Sequence, residues 1–118
     1  MRLTSSAFAA SIVLAAMADA PSPQPAGSAI DIVASNWAFT PSKITLHAGQ
    51  PATLRFTSRE GVHGVGSDGL GIRKTTLLPG KAVTLAATPS KTGTYTVPCT
   101  IVCGAGHDKM LLTVDVQS

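Results

Sequence analysis

The chain has 118 residues, enough for one domain of ordinary size. Hydrophobic residues make up 44% and charged residues 13%, which supports a packed core and excludes a chain disordered throughout. Nine Lys and Arg against six Asp and Glu leave a net charge of +3 with no basic block, which excludes a nucleic-acid footprint.

Met1-Arg2 is a short positive start, and the apolar run Ala7 to Ala18 is short for a membrane span. Ala16-Met17-Ala18 before Asp19 is a small-x-small cleavage signal, so residues 1–18 read as a secretory signal peptide and the protein as periplasmic or secreted. The alternative is an N-terminal membrane anchor. Residues 19–28, rich in Pro, Ser, Ala and Gly, read as a flexible leader, which leaves one domain over residues 29–118.

Ile30-Asp31-Ile32-Val33-Ala34 alternates and is β-branched, which predicts a strand continued by Asn36 to Phe39 and turned at Thr40-Pro41-Ser42. Trp37 and Phe39 read as core or core-rim aromatics. Lys43 to Ala48 alternates again, with Ile44, Leu46 and Ala48 on one face and His47 on the exposed polar face. Ala52 to Thr57 is the next strand, Leu54 and Phe56 inward. Ser58 to Pro79 reads as a long glycine-bearing connection with His63 near its start, and long loops in small domains are often functional.

Lys81 to Thr88 and Thr94 to Pro98 read as strands, the second running straight into Cys99. Met110 to Val116 is the last strand, with Leu112, Val114 and Val116 on one side. No segment carries a helical period. Short strands between turn signals predict an all-β fold, an antiparallel sandwich of Greek-key type.

The chemistry concentrates in one stretch, Cys99-Thr100-Ile101-Val102-Cys103-Gly104-Ala105-Gly106-His107-Asp108-Lys109-Met110, which holds both cysteines of the chain. Thiolate, imidazole and thioether together are the soft ligand set that suits copper. A sandwich allows His63, near the end of one strand, to meet this loop between the last two strands. A Cys99–Cys103 disulfide is the competing reading for an exported chain, but it would close a very small loop and leave His107 and Met110 unexplained. Zinc on two Cys and two His is a further alternative, against which the Met110 thioether argues.

The motif Cys99-x3-Cys103-x3-His107-x2-Met110 with the upstream Val62-His63 resembles the copper domain of cytochrome oxidase subunit II and the similar domain of nitrous-oxide reductase. Gly69-Leu70-Gly71-Ile72, Leu78-Pro79-Gly80-Lys81 and Gly93 to Cys99 are also similar, so the likeness runs from about Ile30 to Val116. The resemblance implies a cupredoxin fold and a binuclear copper centre of the CuA type. It implies Cys99 and Cys103 as bridging thiolates, His63 and His107 as imidazole ligands, Met110 as thioether and Ile101 as a backbone-carbonyl ligand. It implies a one-electron carrier rather than an enzyme, with a c-type cytochrome or an oxidase as redox partner. Copper delivery to an oxidase, in company with a copper chaperone, uses the same ligands, and a mononuclear blue-copper site of His63, Cys103, His107 and Met110 is a third arrangement. Ile101 stands where the oxidase typically has a glutamate, and Gly64-Val65 where it has an aromatic residue close after the histidine. The expectation is therefore a free-standing exported cupredoxin.

Overall fold

A computed structural model of the chain describes residues 29–118. The signal peptide and leader expected over residues 1–28 lie outside the described residues. Nine strands follow in order: β1 (Ala29–Ser35), β2 (Ala38–Thr40), β3 (Lys43–His47), β4 (Ala52–Ser58), β5 (His63–Ser67), β6 (Ile72–Leu77), β7 (Val83–Ala87), β8 (Gly93–Pro98) and β9 (Leu111–Gln117). Among the described residues a single 3₁₀ turn, His107–Lys109, precedes β9. No helix among the described residues is long and apolar enough to cross a membrane.

The strands form a four-stranded sheet in the order β2-β1-β4-β7, a three-stranded sheet β3-β9-β8 and a hairpin β5-β6. Period-2 alternation decides which side chains face inward. In β3, Ile44 and Leu46 are buried while Lys43, Thr45 and His47 are exposed, and in β9 Leu112, Val114 and Val116 are buried. Leu54 and Phe56 of β4 are fully buried, as their pattern predicts. The inward residues of both large sheets merge with Val65, Leu70, Ile72 and Leu77 from the hairpin into one core. Each large side chain taken from water there contributes roughly 1.5–3 kcal/mol.

Three expectations need correction. The sandwich is mixed, not purely antiparallel. β1 runs parallel to β4, from Ala29↔Thr53 to Ala34↔Ser58, and β3 runs parallel to β9, from Lys43↔Thr113 to His47↔Gln117. Alternation sets a strand's face but carries no information on the direction of its partner. Asn36 to Phe39 does not extend the first strand either. The chain reverses at Asn36-Trp37, and β2 returns antiparallel with Ala34↔Phe39 and Ser35↔Ala38. Finally, the expected connection from Ser58 to Pro79 contains the β5–β6 hairpin, His63↔Leu77 to Ser67↔Ile72, with a register shift between Val65 and Ser67. Gly64 and Gly66 hide its alternation, and Gly66 sits where a Cβ would come within 3.0 Å of the Lys74 Cα.

This layout fixes where the site lies. Ser58, at the end of β4, bridges to Pro79 just past β6, and His63 opens β5 opposite Leu77, the last residue of β6. Pro98 ends β8 opposite Leu111 at the start of β9. The Cys99–Met110 loop therefore joins two paired strands at the end where His63 emerges.

Candidate metal centre

His63 is built in by the turn before it. The Ser58 hydroxyl donates to the Gly61 carbonyl at 2.6 Å and lies 3.2 Å from that of Glu60. Gly61 takes φ +76°, and a Cβ there would fall 2.6 Å from Asn36 Oδ1 and 3.0 Å from His63 Nε2. The imidazole is fully buried. Its Nε2 lies 2.8 Å from the Glu60 carbonyl, which can only accept, so Nε2 carries the proton. The lone pair is thereby left on Nδ1, which faces Cys99 Sγ at 4.0 Å. A carbonyl on the far ring nitrogen is the usual means of orienting a metal-binding histidine.

Cys99 is 3% exposed, and its sulfur accepts the Gly64 N–H at 3.4 Å. The same sulfur lies 3.4 Å from the Ile101 carbonyl. The loop is tied at its base by Cys99 N–H to the Met110 carbonyl (3.2 Å) and to β5 by Thr100 N–H to the Gly64 carbonyl (3.1 Å). Gly64 cannot carry a side chain in this arrangement, since a Cβ would meet Thr100 Oγ1. That hydroxyl is itself buried without a hydrogen-bond partner.

The 3₁₀ turn sets the other half of the site. Met110 N–H bonds to the His107 carbonyl at 3.2 Å, and residues three apart on such a turn point the same way. His107 Nδ1 lies 3.5 Å from Cys103 Sγ, and Met110 Sδ lies 3.8 Å from it. Met110 is fully buried, while Cys103 and His107 are half-buried. The donor atoms of His63, Cys99 and Cys103 all lie within 4.8 Å of one another.

Both cysteines are free thiols. The six residues singled out in the sequence thus stand together, and His47 lies apart, exposed on β3 opposite Gln117. The donor set fits a soft metal. With metal–nitrogen and metal–sulfur bonds of about 2.0 and 2.3 Å, an ion bonded to both atoms fits within the 4.0 Å between Nδ1 and Sγ.

In the metal-free protein, burial pushes the Cys103 thiol up from 9.0 to about 11, and the hydrogen bond and charge of the Cys99 sulfur add to the rise. A raised pKa means less thiolate at any lower pH. At pH 8 the thiolate population falls roughly 100-fold, partly offset by the greater nucleophilicity of a more basic sulfur. Alkylation of Cys103 by iodoacetamide is expected to run about tenfold slower than that of an unperturbed thiol. Peptide mass spectrometry of the metal-free protein checks this, and a rate equal to that of a free cysteine would refute it. Metal uptake must displace the same proton, so it weakens as pH falls.

Three participants carry no signal in the spacing. Glu60 and Gly64 act through their backbones. Trp37, from the β1–β2 turn, donates its Nε1–H to the Cys103 carbonyl at 3.0 Å. Only the flat packing of an aromatic on Gly104 and Gly106 could have flagged it, and that is a contact between distant segments.

A family model described as a cupredoxin-like domain matches residues 7–113. Cytochrome c oxidase subunit 2 of Thermus thermophilus is 29% identical over 86 residues, 73% of this chain, and the chain spans only 63% of that relative's length. A heme-copper terminal oxidase dimer solved by cryo-electron microscopy contains a chain that superposes with a TM-score of 0.68 at 25% identity, covering 80% of this chain and 67% of that one. Auracyanin A, a blue copper protein of Chloroflexus aurantiacus, superposes with a TM-score of 0.58 at 20% identity, over 76% of this chain and 98% of that one, and so shares the fold.

Proposed function

The chain belongs to the cupredoxin-like family, and on that premise we propose that it is a one-electron carrier with a binuclear, CuA-like copper centre. The observation that carries this reading is a pair of thiol–imidazole couples side by side: Cys99 with His63 at 4.0 Å and Cys103 with His107 at 3.5 Å, both thiols free. A mononuclear site would use one couple and leave Cys99, buried among ligands, without a role. Bound there, copper would supply a one-electron couple. It would be held by the imidazoles of His63 and His107, the thiolates of Cys99 and Cys103, the Met110 thioether and the Ile101 carbonyl.

The chain's own residues do the rest. The Glu60 carbonyl holds the His63 ring in one tautomer and orientation. The Gly64 N–H donates to the Cys99 sulfur and so holds it in place. Full burial of His63 and Met110 keeps water from one side, and buried ligands limit the reorganisation that accompanies a change of charge. The partner is proposed to be a c-type cytochrome or an oxidase, and the compartment the periplasm.

Metal stoichiometry with electron paramagnetic resonance on the oxidised protein tests this. Two coppers per chain sharing one unpaired electron are expected, and a single copper nucleus would overturn the binuclear assignment. Met110→Leu is expected to retain both coppers but shift the reduction potential, because a weak thioether tunes copper without anchoring it. The swap conserves volume at a buried site and costs less than about 1.5 kcal/mol. Protein-film voltammetry reads the shift, and an unchanged potential would make Met110 core packing only.

Cys103 and His107 are half-buried on a glycine-bearing loop, which favours copper delivery as the second reading. Rapid reduction by a cytochrome with slow release to a chelator supports the carrier. The reverse pattern supports delivery.

A further inference from the structure

The arc from Cys103 to His107 carries one thiol and one imidazole of the site, yet it is tethered weakly. Its backbone bonds, His107 N–H to the Gly104 carbonyl at 3.1 Å and Lys109 N–H to the Gly106 carbonyl at 3.0 Å, stay within the loop. Among the described residues, one hydrogen bond reaches the arc from outside the loop, and it comes from the Trp37 indole to the Cys103 carbonyl at 3.0 Å.

The ring also occupies the space beside the arc. A Cβ on Gly106 would lie 2.6 Å from Trp37 Cγ and Cδ2, and one on Gly104 would lie 2.9 Å from Nε1 and 3.0 Å from Cζ2. The indole therefore lies against the bare Cα positions on both sides of Ala105. Gly104 additionally takes φ +124°, which side chains rarely adopt. Two glycines make the arc flexible when alone, and the same two glycines let an aromatic plate seat on it. Trp37 remains 38% exposed, so it closes the arc from the solvent side rather than from the core.

We infer that Trp37 is a positioning residue, an indole latch by which the first hairpin fixes the Cys103–His107 arc and so sets where the Cys103 sulfur and the His107 imidazole stand. Its consequence for bound copper rests on the binuclear reading; its effect on the arc does not.

The test uses the full chain in two arms. In the metal-free protein, amide hydrogen exchange at Gly104 to His107 is compared among the native chain, Trp37→Phe and Trp37→Ala. Phenylalanine keeps an aromatic face on the glycines but lacks the donor, and one lost neutral hydrogen bond predicts exchange about fivefold faster. Alanine removes both contacts, and more than about tenfold is expected. Gly106→Ala in the native background, which drives the ring off, is expected to match Trp37→Ala. In the copper-loaded protein the variants are expected to release copper faster to a chelator and to shift the sulfur-to-copper charge-transfer bands.

A general loss of stability would speed exchange throughout β1 to β9, whereas the latch predicts acceleration confined to the arc. Arc exchange within twofold of the native chain in Trp37→Phe and Gly106→Ala overturns the inference, as does acceleration spread evenly over the domain. If Trp37→Ala does not fold, Trp37→Phe decides. If the native protein takes up fewer than two coppers, the binuclear reading fails while the amide arm still decides the latch.

Discussion

On the proposed binuclear reading, Cys99→Ser is expected to take copper content from two ions per chain to at most one. The residue is 3% exposed, so the substitution is read by the site rather than by the surface. Serine fits the volume and can keep the Gly64 N–H as donor, so the sandwich should stand. What it cannot supply is a thiolate, since its hydroxyl stays protonated and its oxygen is a harder donor. Cys103, His107 and Met110 would remain grouped around one sulfur, with contacts of 3.5 and 3.8 Å, enough for a single ion. The expected signature is a one-nucleus paramagnetic resonance pattern, a changed colour and circular dichroism like that of the native chain. A Cys99→Ser protein with two coppers and an unchanged spectrum would refute the bridging role.

Phe56→Ala is expected to cost about 3–5 kcal/mol of stability, the range for removing a large buried aromatic. Phe56 is fully buried, and its ring meets Phe39 edge-on at 6.5 Å between centroids and 76° between planes. Such a pair is worth about 0.5–1.5 kcal/mol beyond area. β4 is an interior strand, held by β1 on one side and β7 on the other, so its backbone is poorly placed to move into the cavity left in the core. For a domain of this size the melting temperature should fall by about 4–8 °C per kcal/mol, roughly 12–40 °C in total. β4 also leads through Ser58 and Gly61 into His63, so copper affinity should fall with it, and added copper should restore part of the loss by mass action. Thermal unfolding with and without copper measures both. A drop of less than about 5 °C would show that the site repacks around the smaller side chain.

The residues that the fold groups around the two sulfurs were more legible than the architecture that groups them. Cys99, Cys103, His107 and Met110 announce themselves because ligand chemistry forces particular residue types into a short stretch. His63 was found only through that stretch and the resemblance it carries. Strand faces were legible in β3, β4 and β9, where burial on one side imposes alternation. The partners of those strands were not, since nothing in Lys43 to His47 states that its neighbour is Thr113 to Gln117, or that the two run parallel. The β5–β6 hairpin escaped because its glycines and register shift erase the period. The Glu60 carbonyl and Gly64 amide escaped for a different reason: backbone groups are the same at every residue, and only the fold selects which of them do chemistry.

The parallel clasp between β3 and β9 joins the two ladder partners that lie farthest apart along the described chain. Thr113 to Gln117 must travel back across most of the domain to meet Lys43 to His47, and contacts so remote along the chain form slowly. The ligand loop lies immediately ahead of that late-arriving strand. Until β9 docks, Cys99 and Cys103 are ordinary thiols on a loose tether, open to any thiophilic ion or oxidant. The grouping of the two sulfurs with His63 is therefore complete only when two segments remote along the chain are joined.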